Sequence, residues 1–221
     1  DAVRGAHVAV VDVLRATTTI ATALAHGAAG VIPVAEPGDA IALANRLGRD
    51  RVLLCGERHS VRIDGFDLDN SPASFTPEAV TGKTLLITTT NGTRALRAVA
   101  TAASVRTAAL VNRAAVAAAL AREEGDVTIV CAGFALEDAI GAGALVDGLL
   151  QQIPDAELRD GARAAALLYR SVAVRLADAI ASADHAQSLA EKGFTDDIAR
   201  CAELDVLDAV PTLRDGILTL P

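Results

Sequence analysis

Val8–Ile20, V-A-V-V-D-V-L-R-A-T-T-T-I, is the stretch that decides the fold. It begins with a short run of apolar, mostly β-branched residues, which is typical of a strand buried on both faces. The run gives way to Asp12, Arg15 and three threonines before a helical period begins. In open α/β sheets ligands bind at the carboxyl ends of the strands, where the next helix presents free N–H groups. The stretch is therefore typical of half of an anion-binding site and equally of an ordinary capped turn.

Strand-like and helical patterns alternate through the first two thirds of the chain, which predicts a mainly parallel sheet covered by helices. After Pro154 the pattern is almost purely helical to about Cys201. We expect a three-layer α/β/α fold in a single domain of residues 1–221, with the helix-rich segment at about 155–201 packed on it. The predicted strands are Val8–Val13, Val31–Ala35, Val52–Cys55, Thr84–Thr88, Val105–Leu110, Val127–Cys131, Val206–Val210 and Ile217–Leu220. The predicted helices of the first part are Thr18–Ala25, Asp39–Leu47, Thr93–Ala100, Ala114–Arg122 and Glu137–Leu150.

Composition argues against several classes of partner. A net charge of −8, with four Phe and one Tyr, disfavours nucleic-acid binding, which needs a basic field and stacking rings. The uncharged span of residues 16–35 is broken by glycines and a proline, so we expect no membrane helix. Three widely spaced cysteines favour a reducing cytoplasm. A homo-oligomer is compatible with the sequence.

A long connection between Cys55 and Thr84 breaks the alternation. Loops of this length in a compact domain are usually functional or disordered. This one contains Phe66 and Phe75, whose apolar side chains can anchor it. We therefore expect an ordered loop that lies over the site.

The segment Thr88–Arg94, T-T-T-N-G-T-R, follows a predicted strand and opens a predicted helix. Glycine permits a tight turn there, so backbone amides, hydroxyls and Arg94 can surround a phosphate or a sulfonate. The spacing is not that of a P-loop. The alternative is an ordinary helix cap. Arg15 and Thr17–Thr19, at the equivalent place after another strand, favour anion binding.

Carboxylates at the strand ends suggest a metal ion. Asp12 and Glu57 follow two predicted strands, and Asp67 lies on the long loop. Mg²⁺ commonly takes one or two carboxylates together with waters and phosphate oxygens. Glu57 could instead pair with Arg58, and the loop aspartates could be turn residues. Glu137 and Asp138 are interpreted first as acids favourable to a helix dipole, and second as metal ligands.

A cysteine nucleophile at Cys131 is disfavoured. Cysteine phosphatases place an arginine a few residues after the thiol, and here the sixth residue after Cys131 is Glu137. His59 is a lone loop histidine, for which we expect a solvated position.

With these residues in view, the sequence resembles the 2-phosphosulfolactate phosphatase family. The resemblance runs in order along nearly the whole chain. It is carried by V-V-D-V-L-R-A-T-T-T-I, C-G-E-R, G-F-D-L-D-N-S-P, T-T-T-N-G-T-R-A-L, C-A-G followed by L-E-D-A-I-G-A-G-A, and D-D-I-A-R-C-A-E-L-D-V-L-D-A-V-P.

The resemblance implies a magnesium-dependent hydrolase that converts 2-phospho-3-sulfolactate to 3-sulfolactate and phosphate, a step of coenzyme M biosynthesis in methanogens. It also implies an α/β/α fold particular to the family. The chain departs from the family pattern at Asp69, which replaces a glycine, and in a short stretch between Gly133 and Glu137. Family members usually have more chain before the first block, so we expect an N-terminal strand to be absent from this sequence.

We expect Mg²⁺ to be held mainly by Asp12 and Glu57, helped by Asp67 or Asp138. We expect Arg15, Arg94 and the Thr88–Thr93 turn to bind the phosphate of the anionic phosphoester, or to share its phosphate and sulfonate between them. A haloacid-dehalogenase-like phosphatase with Asp12 as nucleophile is an alternative, weakened because Leu14 stands where its general acid should be. A non-catalytic protein that binds an anionic metabolite is another. The expected catalytic residues are Asp12, Arg15 and Glu57, and the expected substrate-binding residues are Thr17, Thr18, Arg58, Thr89, Thr90, Asn91, Gly92, Thr93, Arg94 and Cys131.

Overall fold

The structure, a computed structural model, describes residues 3–221. Within that range the chain combines a nine-stranded sheet with α-helices, which confirms the α/β class. The strands are β1 (His7–Val11), β2 (Gly30–Pro33), β3 (Val52–Arg58), β4 (Val61–Arg62), β5 (Thr84–Thr88), β6 (Ser104–Ala108), β7 (Val127–Cys131), β8 (Thr212–Arg214) and β9 (Ile217–Thr219). The α-helices are α1 (Ala16–Ala25), α2 (Pro37–Leu47), α3 (Pro77–Val80), α4 (Gly92–Ala98), α5 (Arg113–Leu120), α6 (Leu136–Gln152), α7 (Asp160–Val172), α8 (Leu176–Ala181), α9 (Asp184–Glu191) and α10 (Thr195–Cys201).

The sheet is mixed, so the prediction of a mainly parallel sheet is wrong. Its order is β4-β3-β5-β2-β9-β8-β6-β1-β7. Two parallel groups, β3-β5-β2 and β6-β1-β7, are separated by the hairpin β8–β9, in which β9 pairs antiparallel with β2 and β8 pairs antiparallel with β6. The hairpin closes at Asp215 and Gly216, which both have positive φ. Strand–helix alternation could not reveal this insertion, because the hairpin is encoded by a local turn at the far end of the sequence.

The strand predicted at Val206–Val210 is also wrong. Leu207 of this segment, and Asp205 just before it, donate backbone hydrogen bonds to Val111 and Leu110, at a short 3₁₀ turn after β6. None of residues 206–210 belongs to a strand. The paired strand lies a few residues later, at β8. The apolar pattern of residues 206–210 is therefore explained by packing against this turn rather than by strand pairing.

The sheet is strongly curved. Four strands separate β5 from β1, and in a flat sheet this order would place them roughly 24 Å apart. Yet a Cβ atom added to Gly92, just after β5, would lie 2.8 Å from Asp12 Oδ2, just after β1. The carboxyl ends of the two parallel groups therefore meet, and they build one site together.

Strand β1 packs apolar side chains on both faces. Val8 and Val10 belong to a cluster with Leu85 and Ile87 of β5, whereas Ala9 and Val11 belong to a second cluster that extends to the last helices. Helix α6 approaches closely, because a Cβ atom on Gly141 would lie 2.6 Å from Val13 Cγ2. The second cluster includes Leu189 of α9 and Ile198 of α10, so these late helices are held near the end of β1.

The long connection after β3 is anchored, as predicted. It contains β4, a 3₁₀ turn and α3, and the side chains of Phe66 and Phe75 are buried. Its residues contribute to the cavity described below. No helix within residues 3–221 is long and apolar enough to cross a bilayer.

Candidate active site

A cavity of about 390 Å³ lies where the carboxyl ends of the two parallel groups meet. Its wall contains residues that follow β1, β3, β5 and β7, together with one face of α9. The lining residues are Asp12, Leu14, Arg15, Glu57, His59, Ser60, Asn70, Thr89, Thr90, Asn91, Gly133, Phe134, Ala135, Glu137, Asp138, His185, Ser188 and Lys192.

Asp12 is held in a fixed position at the end of β1. Its Oδ1 accepts a hydrogen bond from the backbone N–H of Ala16 at 3.1 Å. The Thr17 hydroxyl donates to the Asp12 carbonyl at 2.8 Å and accepts from the Asp12 N–H at 3.0 Å. Gly92 is the residue that permits the approach of the turn after β5, since any Cβ atom there would meet Ala16 and the Asp12 carboxylate. The carboxylate is thus tightly positioned between two strand ends.

Three buried acids, Asp12, Glu137 and Asp138, come together in the cavity wall. Burial raises the pKa of Asp12 to about 6, although the Ala16 N–H bond and, to a smaller extent, His185 lower it; the charges of Glu57 and Glu137 raise it slightly further. Burial, followed by the charge of Asp12, raises the pKa of Asp138 to about 8. The Val13 N–H, which donates to Asp138 Oδ1 at 2.8 Å, does not offset this. Such a cluster is stabilised by any cation that enters it.

The donor set suits a hard cation. Among residues 3–221, no three His, Cys, Asp or Glu side chains form a ready-made metal cage. Mg²⁺ does not require one, because it usually keeps several waters and takes one or two carboxylates. Asp12 and Asp138 provide two carboxylates that repel one another when both are ionised. The residues present therefore fit Mg²⁺ with an incomplete protein shell.

Glu57 ties two parts of the wall together. Its Oε1 accepts hydrogen bonds from the N–H and the hydroxyl of Thr90, at 2.8 and 2.9 Å. Its Oε2 accepts from the N–H of Ser60 at 2.7 Å. Glu57 is therefore engaged in fixing the turn after β5 to the tip of the β3–β4 hairpin.

Arg15 is a buried cation in the cavity wall, exposed by only 2%. Its guanidinium donates to Asp197 Oδ2 at 2.7 Å and to the Ser60 carbonyl at 3.2 Å, and it lies 4.2 Å from the ring centre of Phe194. Asp197 Oδ1 in turn accepts from the Ser71 hydroxyl at 2.6 Å. The late helix α10 thereby positions an arginine that follows the first strand.

Asp197→Asn is expected to lower the free energy of unfolding by on the order of 3 kcal/mol, because it leaves the buried Arg15 charge without its carboxylate. Urea unfolding followed by circular dichroism measures this loss. Asp196→Asn is the matched control, since Asp196 occupies the same first turn of α10 and is exposed. Equal stability of the two variants would contradict a positioning role for Asp197.

Several residues expected at the site support it from outside the cavity. The Thr17 hydroxyl binds the Asp12 backbone, and the Thr18 hydroxyl donates to the Val13 carbonyl at 2.9 Å. The Thr93 hydroxyl donates to the Thr89 carbonyl at 2.9 Å. These threonines hold the strand ends and helix starts in place, and they do not line the cavity.

Other expected residues lie away from the cavity. Arg58 donates to the carbonyls of Glu57 and Ala35. Asp67 pairs with Arg49 at 2.9 Å, so its carboxylate is committed elsewhere. Arg94 is exposed on α4 and does not line the cavity.

Cys131 is likewise absent from the cavity wall. Its thiol donates to the Asp138 carbonyl at 3.5 Å. Burial, with the charge of Asp138, raises the pKa of this thiol to about 11. A group that remains protonated at neutral pH is a poor nucleophile.

Sequence reasoning brought together Asp12, Arg15, Glu57, Thr89, Thr90, Asn91 and Asp138, which all line the cavity. It missed His185 and Ser188 on α9, and Lys192 at the C-terminal cap of that helix. Their spacing of three and four residues places them on one helix face, which was the available signal. These residues lie far from the strands in the sequence, so their proximity to the strand ends could not be inferred from it.

Comparisons with known proteins agree on one family. The model of the family described as 2-phosphosulpholactate phosphatase matches residues 2–216. A protein of Caldanaerobacter subterraneus subsp. tengcongensis is 44% identical over 216 residues, covering 96% of this chain and 89% of the relative. Proteins of Symbiobacterium thermophilum (44% over 215 residues, 96% and 92%) and Thermotoga maritima (39% over 215 residues, 96% and 90%) are also similar. Each of the three is named a probable 2-phosphosulfolactate phosphatase.

Proposed function

Because this chain belongs to the 2-phosphosulfolactate phosphatase family, we propose that it is a phosphoric monoester hydrolase that releases phosphate from 2-phosphosulfolactate. The observation that carries the proposal beyond the family match is the convergence of Asp12, Asp138 and the turn of residues 89–91 on one cavity. Metal-assisted phosphate transfer requires carboxylates that bind a cation. It also requires hydroxyl and amide donors beside them, which bind the phosphate oxygens.

The turn after β5 is the proposed phosphate site. Thr89, Thr90 and Asn91 line the cavity directly beside Asp12. Asn91 makes no side-chain capping bond to α4, so its amide is free to donate to a phosphate oxygen. Arg15, held by Asp197, supplies positive charge at the same wall. Arg94 is not part of this proposal, since it lies outside the cavity.

Asp12 and Asp138 are the residues proposed to hold Mg²⁺, with Glu137 beside them. When bound, the ion would supply Lewis-acid stabilisation of negative charge on the phosphate oxygens. Glu57 is assigned a positioning role, because its oxygens are occupied by Thr90 and Ser60.

Two routes of attack use the same residues. In one, water attacks phosphorus and the ester oxygen leaves, taking up a proton. In the other, an Asp12 oxygen attacks phosphorus and displaces the ester oxygen, which takes up a proton, and water then cleaves the aspartyl phosphate. Trapping with a fluoride-based phosphate mimic separates them, because only the second route allows a stable complex on Asp12.

Chelation tests the proposal directly. Phosphate release from 2-phosphosulfolactate is expected to fall by at least about a hundredfold in excess chelator and to return when Mg²⁺ is restored. The assay measures inorganic phosphate, and chelator already saturated with Mg²⁺ is the control. Undiminished turnover in chelator would contradict the proposed dependence on Mg²⁺. Absence of turnover with Mg²⁺ present would contradict the proposed substrate.

We also propose a single domain and a cytoplasmic location. The cluster shared by β1 and the helices of residues 160–201 supports the first. The second is supported by three cysteines that are all free.

A further inference from the structure

One face of α9 lines the cavity with polar and cationic groups. His185 and Ser188 lie on α9 and Lys192 is its C-terminal cap, and their spacing of three and four residues places them on one side. The adjacent side of the helix carries Ala186 and Leu189, both fully buried in the cluster that reaches β1. Packing therefore fixes the helix in an orientation that presents these three residues to the ligand space.

This face is separate from the proposed phosphate turn. Glu57 stands between the two, since its Oε1 binds Thr90 and its Oε2 binds Ser60. On the Ser60 side, Lys192 Nζ donates to the His59 carbonyl at 3.0 Å. The turn of residues 89–91 and the ammonium of Lys192 are thus placed on different sides of one carboxylate.

The charge of Lys192 is not neutralised by this contact. A carbonyl is an uncharged acceptor, and an ammonium has two further donors. The cavity wall also contains four carboxylates, of Asp12, Glu57, Glu137 and Asp138, and its other cation, Arg15, is already paired with Asp197. A substrate with a second anionic group would be repelled by these acids unless a cation met that group.

We propose that His185, Ser188 and Lys192 form a second anion subsite, which binds the sulfonate or carboxylate remote from the phosphate and selects phosphoesters that carry one. This inference rests on the proposed function and deepens it. Lys192 supplies the charge, and Ser188 and His185 supply hydrogen bonds.

Steady-state kinetics on three substrates test the subsite. These are 2-phosphosulfolactate, 2-phospholactate, which lacks the sulfonate, and 4-nitrophenyl phosphate, which lacks both extra anions. Lys192→Gln is expected to raise KM for 2-phosphosulfolactate about tenfold or more, with KM for the aryl phosphate within about twofold of wild type. Lys83→Gln is the matched control, because Lys83 is the other lysine of the chain and is remote from the cavity. Lys192→Arg is expected to restore most of the affinity.

The pattern across substrates identifies the anion. A rise confined to 2-phosphosulfolactate assigns the sulfonate to the subsite, and an equal rise for both lactate esters assigns the carboxylate. No rise, or the same rise on all three substrates, overturns the subsite.

Calorimetric titration with 3-sulfolactate keeps the two proposals distinguishable, because it needs no turnover. Binding about tenfold weaker to Lys192→Gln than to wild type supports the subsite. Equal affinity overturns it. A wild-type protein that turns over none of the substrates contradicts only the proposed function.

Discussion

Asp12→Asn is expected to lower kcat for phosphate release by about a thousandfold. Asparagine has the same shape and can still accept the Ala16 N–H bond through its own Oδ1, so the end of β1 should remain in place. The substitution removes the charge at the point where Gly92 brings the phosphate turn against the carboxylate. Both routes of attack depend on that charge. Phosphate release at saturating Mg²⁺ and substrate measures the loss.

Asp67→Asn is the control for this prediction. Asp67 pairs with Arg49 outside the cavity, and an asparagine oxygen can still accept the hydrogen bond from the Leu54 N–H. Its activity is expected to stay within about twofold of wild type, in line with other changes remote from a site. An active Asp12→Asn enzyme, or an Asp67→Asn enzyme as impaired as Asp12→Asn, would contradict the assignment of the site.

Asp138→Asn is expected to stabilise the cation-free protein at pH 8.5 while abolishing most of its activity. Burial and the charge of Asp12 raise the pKa of Asp138 from 3.8 to about 8 in the folded chain. As the pH rises from about 4 to about 8, the unfolded chain has lost this proton and the folded chain retains it, so the free energy of unfolding falls. Asparagine removes that penalty and can still accept the Val13 N–H bond. The gain is expected to be on the order of 2 kcal/mol.

Urea unfolding in chelator at pH 4.5 and pH 8.5 measures this effect. The two proteins should differ little at the lower pH, with the variant more stable at the higher pH. Saturating Mg²⁺ should reverse the order, since the ion stabilises the wild type by binding its folded state. Asp39→Asn is the matched control, because Asp39 is an exposed acid in the first turn of α2. If the free energy of unfolding of the wild type does not fall between pH 4.5 and pH 8.5, the raised pKa of Asp138 is contradicted.

The parts of the fold that follow from local pattern could be predicted. Short apolar runs with β-branched residues identified β1, β5 and β7, and helical periods identified α2 and α6. The mixed sheet could not be predicted, because the place of β8–β9 between β2 and β6 depends on pairing over more than a hundred residues. Periodicity carries no information on such pairing.

Those residues of the site that lie at the ends of strands could be predicted from the sequence. Asp12, Glu57 and the turn of residues 89–91 could be grouped because each follows a strand, and strand ends gather ligands. Arg94 and Arg58 could not be excluded from spacing alone, since the direction of a side chain depends on neighbours such as Ala35. Asp197 and Lys192 come from a helical region with no strand to mark them, so only tertiary packing reveals them.

The central place of the β8–β9 hairpin has a consequence for the order in which the nascent chain can assemble. Both parallel groups are complete in sequence by Cys131, yet the strands that join them are synthesised some eighty residues later. On the ribosome each group of parallel strands can begin to form by itself. The pairing of β9 with β2 and of β8 with β6, which joins the groups, requires residues 212–219 to have left the exit tunnel. Catalytic competence is therefore expected to arise only after translation of the last strands, and chaperone dependence should concentrate in that interval.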